Sequence, residues 1–486
     1  MKRRSPALAA VAVALAAAVL AQPHARAVSS ASPGTGSAAH DRESAQDAQN
    51  PDAVEITLSP EWGSVTGLAV DGRNNFVIVG RTDSARFPTT PDAADHPCRA
   101  GSAVLQVLGR NGNLLYSSCL GGDRIVGYGG PAVATAHDGS VWVVAETRLP
   151  TSEDVDTRVW RLSPDRAGCD DVFVGGPLHG CALAAGLGAS VWMACSGHAS
   201  QLATVHAWQP TYGGAGDVVV ARFEPGRREA ALLSYLGGPG IDVPTGIAVA
   251  PDGDLVVVGW TYGEGFPFVR PFQPMTGGPQ HFFVARGDVS GRWIEFSSPF
   301  EVSEFAPVAR VAVDRSGSTL VLAMANASRP PPTAPSVRRN PLQDAYLLEL
   351  DRAGSLQQLH MIEPGFQTRV SPDESLYLHY TSVRADGSLL VVRTFAHYDS
   401  ARSRYYDGGA IVSVLDRFGR AIREVELVEL ESGGGWVPNV VMSGPHDLYV
   451  AGARWDMPGM PIVVKRVGIG RADRHTRPPA AGADKR

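Results

Sequence analysis

The sequence predicts an all-β protein: a seven-bladed β-propeller with four antiparallel strands per blade. Three observations predict it. A strand-length apolar segment recurs seven times along the 486 residues, a pair of short strands precedes each copy, and no stretch after the N-terminal segment has helical periodicity. Length alone would suggest two or three domains, so the repetition is what favours a single one.

The recurring segment is an apolar run that leads into a turn containing Gly. Its copies begin 52 to 65 residues apart, at Ser102, Thr157, Asp217, His281, Asp344, Gly409 and Pro461. A further strand follows each copy after a short turn such as Arg110-Asn-Gly-Asn113, where Gly and Asn supply the positive φ that a hairpin needs. Ahead of each copy lies a second hairpin, clearest at Gly246–Ala250 and Leu255–Gly259. Four such strands per unit are typical of a propeller blade.

The seventh unit contains only three strands, and an open ring would expose the edges of two blades. Val54-Glu-Ile-Thr-Leu58 precedes the first full unit and alternates apolar and polar residues. We therefore expect Val54–Leu58 to pair with the strand at Ile462–Val467 and to close the ring. The propeller domain is predicted to span residues 53–470.

The N-terminus has the three parts of a signal peptide. Lys2, Arg3 and Arg4 precede the apolar run Ala7–Leu20, which is short for a membrane span, and Ala25-Arg-Ala27 is a typical cleavage site. We expect residues 1–27 to be removed on export; an uncleaved anchor is the alternative. Residues 28–52 and 471–486 are predicted to be disordered, because they have too few large apolar residues to pack. The mature chain is predicted to be secreted, periplasmic or at the cell surface, without a transmembrane segment.

The charge of the chain argues against one class of partner, and its cysteines predict disulfides. Four of the 43 Lys and Arg lie in the signal peptide, so the mature chain is more acidic than the formal net charge of −6, and we expect no nucleic-acid partner. None of the five Cys has C-x-x-C spacing, and an oxidising compartment permits disulfides. The hairpin turn at Asn111-Gly112 returns Cys119 to the strand that follows Cys98, which predicts a Cys98–Cys119 bridge. Cys181 and Cys195 are a second candidate pair.

Several segments resemble a known repeat. At Ser234-Tyr-Leu-Gly-Gly238, followed by Gly246-Ile-Ala-Val-Ala-Pro-Asp-Gly253 and Val258-Gly-Trp-Thr261, the chain is similar to the bacterial seven-bladed β-propeller repeat of secreted and cell-surface proteins. With looser units counted, the resemblance covers about Val54 to Gly470. It implies the propeller fold, export and often a role at the cell surface, but it supplies no catalytic residue.

Motifs that carry chemistry are not found. The sequence has no nucleophile elbow, zinc-protease motif or phosphate-binding Gly loop, and its 13 His are scattered, so we predict no catalytic residue, metal or cofactor. Asp residues in the first-hairpin turns are interpreted as turn formers rather than calcium ligands: Asp71, Asp252, Asp314 and Asp386. Aromatic residues at matching repeat positions are interpreted as core: Phe87, Trp208, Phe266 and Phe272.

One repeat position varies freely in residue type. It directly follows the second strand of each unit and is occupied by Asp83, Arg148, Tyr262, Asn326 and Trp455. The position opens the long loop between the second and third strands, and these loops share one face of the propeller. Long loops on a rigid scaffold often carry binding sites, so these five residues form the candidate binding face.

Three functions are weighed. The first is a secreted, monomeric, non-catalytic binding or scaffold protein that binds a glycan or protein partner through the long-loop face. The alternative is an extracellular polysaccharide lyase or hydrolase with an active site at the central channel. A structural component of an envelope or matrix is the third. Small apolar residues are expected along the channel, which argues against the enzyme: Ala69, Ala134, Ala184, Ala248 and Ala312.

Overall fold

The computed structural model describes residues 55–94, 97–125, 130–148, 155–274, 280–300, 303–326, 344–361, 374–383, 388–399, 404–427, 436–443, 447–454 and 462–468. These residues form strands, turns and irregular segments and contain no helix. It follows that they include no helix able to cross a membrane. The predicted signal peptide, linker and C-terminal tail lie outside the described residues, as do Asp386 and Trp455.

Twenty-eight strands are formed by the described residues. In chain order they are β1 (Glu55–Thr57), β2 (Trp62–Val70), β3 (Phe76–Thr82), β4 (Ser102–Leu108), β5 (Leu114–Ile125), β6 (Ala132–Thr135), β7 (Val141–Arg148), β8 (Val155–Leu162), β9 (Cys169–Phe173), β10 (Leu178–Ala185), β11 (Val191–Gly197), β12 (Asp217–Phe223), β13 (Leu232–Leu236) and β14 (Ile241–Val249). The second half comprises β15 (Leu255–Tyr262), β16 (Gln280–Gly287), β17 (Ile294–Phe300), β18 (Ser303–Val313), β19 (Thr319–Asn326), β20 (Asp344–Leu350), β21 (Leu356–Met361), β22 (Glu374–Val383), β23 (Leu389–Asp399), β24 (Arg404–Leu415), β25 (Ala421–Leu427), β26 (Trp436–Ser443), β27 (Asp447–Arg454) and β28 (Ile462–Gly468).

The strands pair antiparallel, mostly with their neighbours in sequence. Five sheets have four strands each: β10–β13, β14–β17, β18–β21, β22–β25, and β26–β28 with β1. The other eight strands form one sheet, because β5 reaches β7 through the pairs Arg124↔Arg148 and Ile125↔Thr147. Apart from that bridge, this sheet consists of two groups of four, β2–β5 and β6–β9.

The first strands of these groups contact one another in order. The sequence of contacts is β2, β6, β10, β14, β18, β22 and β26, and β26 contacts β2 in turn. The prediction of an all-β, propeller-like fold built from four-stranded antiparallel sheets is thus confirmed. The short strand β1 pairs with β28 in the register Glu55↔Lys465, Ile56↔Val464 and Thr57↔Val463.

The core lies between the sheets, so strands are apolar on both faces. On β11, Met193 and Cys195 pack in one cluster with Trp142 of the preceding sheet, whereas Trp192 packs in another cluster with Val257 of the following sheet. The sheet β10–β13 is therefore covered on both faces, which explains why β11 reads as a continuous apolar run rather than as an alternating one.

The aromatic residues predicted as core do pack there. Phe87 and Phe266 are buried. Trp208 is half-buried and stacks on Trp192 with ring centroids 5.9 Å apart, and its Nε1–H donates to the Asp288 carbonyl at 3.0 Å. Phe272 is half-buried against the cluster between β14–β17 and β18–β21.

A β-bulge recurs in the first strand of the groups. Register shifts lie between Val65 and Gly67, His179 and Ala182, Pro244 and Gly246, Ser303 and Val308, Leu378 and Tyr380, and Pro438 and Val440. Beside two of these bulges the second strand approaches so closely that only Gly fits. A Cβ on Gly80 would lie 2.0 Å from the Ser64 carbonyl oxygen, and one on Gly259 would lie 2.1 Å from that of Val243.

The turn aspartates bind their own turns. Asp71 Oδ1 accepts from the amides of Arg73 at 2.9 Å and Asn75 at 2.8 Å. Asp314 Oδ1 accepts in the same way from the amides of Ser316 at 2.8 Å and Ser318 at 2.9 Å. This geometry matches the predicted role of turn formers.

Two disulfides join paired strands or their flanks. Cys98 and Cys119 are bonded, with Cα atoms 5.4 Å apart, and so are Cys181 and Cys195, with Cα atoms 4.1 Å apart. Cys169 is the free thiol among the described residues, and burial raises its pKa to about 12, so it stays protonated and unreactive. The disulfides are consistent with an extracellular protein.

Candidate active site

A histidine and a glutamate from neighbouring sheets meet near the ends of β7 and β10. His179 Nδ1–H donates to Glu146 Oε2 at 2.7 Å. The Glu146 side chain is 7% exposed, whereas that of His179 is 45% exposed. The strand β10 is the edge strand of its sheet and contacts β6 and β7 of the preceding group, which places the pair between the two groups.

The pair has the protonation behaviour of an acid–base group. The hydrogen bond to Glu146 raises the pKa of His179, against the opposing effect of partial burial, and the charge of the carboxylate raises it further. A carboxylate on Nδ1 selects the tautomer that leaves the lone pair on Nε2. Enzymes use a partly exposed imidazole held by a buried carboxylate as a general base or acid.

The segment that carries His179 is anchored on both sides. Just before it, the Leu178 amide donates to Thr157 Oγ1 at 3.0 Å, and that hydroxyl donates to the Gly176 carbonyl at 2.9 Å. Just after it, Gly180 and Cys181 form the bulge opposite Cys195, to which Cys181 is disulfide-bonded. The imidazole is therefore presented from a fixed stretch of backbone.

Two more ionisable groups lie near the starts of β12 and β14. Asp217 on β12 and Asp242 on β14 are both 0% exposed. Asp217 Oδ2 accepts from the Gly213 amide at 2.7 Å, and Asp242 Oδ2 accepts from the Gly238 amide at 2.9 Å. Gly237 separates them: a Cβ there would lie 2.5 Å from Asp242 Oδ2 and 2.9 Å from Asp217 Oδ1.

Burial dominates the behaviour of this carboxyl pair. It raises the pKa of Asp217, and it raises that of Asp242 to about 6, with the Thr261 hydroxyl and the Gly238 amide opposing it and Asp217 adding repulsion. Among the described residues, Oδ1 of neither Asp217 nor Asp242 has a hydrogen-bond partner. Since neither carboxyl reaches solvent, the pair has no contact with a substrate.

The hairpin-turn side of the sheets carries further charges. Arg286 is fully buried and donates to Asp254 Oδ2 through Nε at 3.1 Å and Nη2 at 3.0 Å, with Asp252 and Glu295 also in contact. These groups satisfy one another and join turns, which is a structural role. A cavity of about 190 Å³ opens on the same side and is lined by turn residues, among them His137, Leu187, Pro251, Asp314 and Arg315.

Among the described residues, no group of three or more His, Cys, Asp and Glu is arranged to hold a metal ion.

The four candidate binding-face residues that the structure describes occupy equivalent positions at or just after a strand end. Arg148, Tyr262 and Asn326 are the last residues of β7, β15 and β19, and Asp83 follows β3. The Asp83 side chain is 66% exposed and lies 3.6 Å from an Arg81 nitrogen, and Tyr262 is 48% exposed. Of these, Arg148 is placed near the histidine pair, because it follows Glu146 by two residues on β7 and shares its side of the strand.

Sequence reasoning missed the His179–Glu146 pair. The two residues are 33 positions apart, in different sheets, and His179 lies on β10 together with Ala184, which the sequence analysis took as evidence for an inert channel. That expectation concerned Ala184 and the equivalent alanines and did not consider His179 on the same strand. The available signal was Glu146 itself, a carboxylate that directly follows the apolar run Val141–Ala145 within one strand.

No protein-family model and no curated protein sequence matches the chain. Solved structures match its fold. The polysaccharide lyase Uly1 is 9% identical over 84% of this chain and 91% of its own, with a TM-score of 0.47. A Trypanosoma rangeli sialidase bound to the inhibitor DANA is 11% identical over 81% of this chain and 60% of its own, with a TM-score of 0.40. An α-L-arabinofuranosidase from Fusarium graminearum, bound to an iminosugar inhibitor, is 11% identical over 86% and 97%, with a TM-score of 0.40.

The prediction of a non-catalytic binding or scaffold protein is wrong against this comparison. The matching structures named above are a lyase, a sialidase and an arabinofuranosidase. At such low identities and TM-scores, the likeness describes architecture and transfers no residue and no substrate.

Proposed function

We propose that this protein is an extracellular glycan-processing enzyme in which His179, held by Glu146, is the general base. The observation that carries the proposal is the 2.7 Å hydrogen bond between a half-exposed imidazole and a buried carboxylate on the preceding group of strands. An ordinary surface histidine has no need of a buried charged partner, whose desolvation is costly.

The chemistry that fits this site is elimination rather than hydrolysis. Glycoside hydrolysis generally uses two carboxyl groups that flank the scissile bond. Here Glu146 is occupied by His179, and Asp217 and Asp242 do not reach solvent. A lyase needs one base: His179 Nε2 would take the proton from the carbon next to a sugar carboxyl group, a C=C bond would form, and the glycosidic C–O bond would break. The leaving oxygen would take up a proton.

An acidic glycan is the substrate class that this site favours. The carboxyl group of a uronic acid sugar must be neutralised for its neighbouring carbon to lose a proton. Arg148 lies two residues beyond Glu146, and its cross-strand partner in register is Arg124. A guanidinium binds a carboxylate through paired hydrogen bonds, so Arg148 is proposed as the partner of the sugar carboxyl group. Asp83, Tyr262, Asn326 and Trp455 are proposed as further contacts for the glycan chain along the long-loop face.

Turnover on a defined panel tests this function. Purified mature protein is incubated with uronic-acid polysaccharides and neutral polysaccharides, and both ultraviolet absorbance of the unsaturated product and new reducing ends are followed. We expect both signals on an acidic glycan, and a loss of kcat on the order of 10²- to 10⁴-fold in His179→Ala. His137→Ala, an exposed histidine on the hairpin-turn side, is the matched control and should keep full activity.

Two results contradict the proposal. Reducing ends without the unsaturated product would show hydrolysis and overturn the elimination step. Turnover that survives in His179→Ala, or no turnover on any substrate of the panel, would overturn the role of His179.

We further infer that the sheets form one seven-bladed ring closed by β1, after export has removed residues 1–27. The circuit of first-strand contacts and the β1–β28 pairing support this, and Ile56 and Leu58 are buried in the core cluster of the first group. Deleting residues 28–52 should leave the melting temperature unchanged, whereas deleting 28–58 should lower it sharply. Equal melting of the two truncations would contradict closure. N-terminal sequencing of the exported protein should begin at Val28.

A further inference from the structure

The bulge in β10 differs from the bulges in β2 and β14. In those strands the residue opposite the bulge is Gly80 or Gly259, and the backbone of the first strand occupies the space where a side chain would be. In β10 the corresponding residue of β11 is Cys195, and Gly180 and Cys181 lie opposite it. Gly180 has a φ of +60°, and the Cys181–Cys195 disulfide joins the strands across the bulge.

This disulfide stands next to the candidate base. His179 is the last residue in register before the bulge, paired with Ser196, and Ala182 resumes the register opposite Ala194. The direction in which His179 leaves the strand therefore depends on the path of Gly180 and Cys181. At Gly80 and Gly259, the backbone of the first strand packs directly against the glycine of the second strand. The bulge in β10 lacks this contact and is held by the Cys181–Cys195 disulfide instead.

The partner of His179 does not belong to the same sheet. Glu146 lies on β7, and its buried carboxylate stays with its own strand whatever happens at the bulge in β10. A shift of the bulge would move the imidazole relative to Glu146. A charge-assisted hydrogen bond is sensitive to such a shift, because its strength falls steeply with distance and angle.

We propose that the Cys181–Cys195 disulfide is a positioning element that holds His179 against Glu146. Its effect on the histidine is independent of what the site does; its effect on turnover rests on the function proposed above. The bridge thus sets the protonation of the candidate base as well as tying two strands together.

The second disulfide of the protein provides the matched control. Cys98–Cys119 joins the segment before β4 to β5, and Cys119 packs in the core cluster of the first group of strands. Removing it takes away the same kind of bond but leaves the bulge in β10 untouched.

The experiment compares Cys181→Ala/Cys195→Ala with Cys98→Ala/Cys119→Ala in the mature protein. The titration of the His179 imidazole is followed by NMR, assigned with His179→Ala, and kcat is measured against pH on the best acidic glycan. In the first variant, we expect the pKa of His179 to fall toward its ordinary value. We also expect kcat to fall about 10- to 100-fold and the acid limb of its pH profile to shift. In the second variant, both should match the wild type.

If the first variant does not fold, the Cys181–Cys195 disulfide can instead be reduced in a protein that has already folded. Cys98→Ala/Cys119→Ala retains a single disulfide, and Cys181 is partly exposed to an attacking thiolate. A dithiol reductant converts that disulfide into two thiols and is itself oxidised to a cyclic disulfide. The same fall in the pKa of His179 is expected.

An unchanged His179 titration after loss of the Cys181–Cys195 bond would overturn the positioning role, whatever the effect on stability. A shifted titration in a protein without turnover would support the positioning role while contradicting the proposed function, so the two can fail separately.

Discussion

The sheet β10–β13 carries ionisable side chains against both of its neighbours. Toward β6–β9 it presents His179 to Glu146; toward β14–β17 it presents Asp217 beside Asp242. At both junctions, a buried carboxyl group lies beside a second ionisable group whose pKa is raised. At the first junction the partner is 45% exposed, whereas at the second both groups are 0% exposed.

This difference separates two uses of burial. At the His179–Glu146 junction, the buried carboxylate holds a group that can exchange protons with a bound molecule. At the Asp217–Asp242 junction, neither carboxyl is exposed to a bound molecule, so the raised pKa of Asp242 affects stability rather than chemistry. A shifted pKa indicates a functional site only where the group also reaches a ligand.

The largest effect is expected from filling the closed junction. In Gly237→Ala, the new methyl group would lie within 3 Å of atoms of both Asp217 and Asp242, which have little room to move. We expect a loss of about 3 kcal/mol in the free energy of unfolding by urea, at the upper end of the usual cost of an overpacked core. Gly72→Ala, where nothing lies within 4 Å, is the control and should cost far less. Equal losses would show that the junction is looser than described.

A smaller effect is expected from removing the charge at the closed junction. The pKa of Asp242 is raised from 3.8 to about 6, so its contribution to stability is fully present below about pH 4 and is lost as the pH rises through about 6. The wild type should lose about 2–3 kcal/mol over that window through this group. Asp242→Asn should abolish this part of the slope, because a carboxamide oxygen can still accept from Gly238.

Urea unfolding between about pH 4 and 8 measures that slope. Asp83→Asn, at an exposed aspartate, is the control and should keep the wild-type profile. If Asp242→Asn also keeps it, Asp242 does not carry the pH dependence.

The smallest change in stability is expected at the open junction. Glu146→Gln should lower the pKa of His179 toward its ordinary value, because the hydrogen bond to the carboxylate is what raises it. The stabilisation from the pair is present below the unfolded pKa of histidine and is lost as the pH rises through the raised folded value. Because His179 is nearly half exposed, solvent screens the pair, and the cost should stay below about 1 kcal/mol.

Urea unfolding of the wild type and of Glu146→Gln at about pH 5 and at about pH 9 checks how the stability of the His179–Glu146 pair depends on pH. The wild type should be the more stable protein at the lower pH, and the two proteins should converge at the higher one. If the stability difference between the two proteins grew with pH, the pair would not be stabilised by protonated His179, and the prediction would be wrong.

The strands were predictable from sequence because the residues that specify them lie close together along the chain. Apolar runs ended by Asn-Gly or Asp-Gly turns specify hairpins, and Asp71 and Asp314 bind the turn backbone as their type suggests. The pair His179–Glu146 was not predictable in the same way, since it depends on the packing of two sheets and on a bulge that shifts the register of β10. Arg148, Tyr262 and Asn326 lie at equivalent strand ends, as alignment of the repeats requires, but alignment gives no distance between side chains.

The antiparallel pairing of β1 with β28 has a mechanical consequence. Glu55, the first residue of β1, lies opposite Lys465, and Thr57 lies opposite Val463, so the chain enters β1 and leaves β28 at the same end of the pair. A force that pulls the two chain ends apart would therefore peel β1 from β28 one hydrogen bond at a time, instead of loading all the bonds together. Such a protein resists tension between its ends weakly and would open at this sheet before the others.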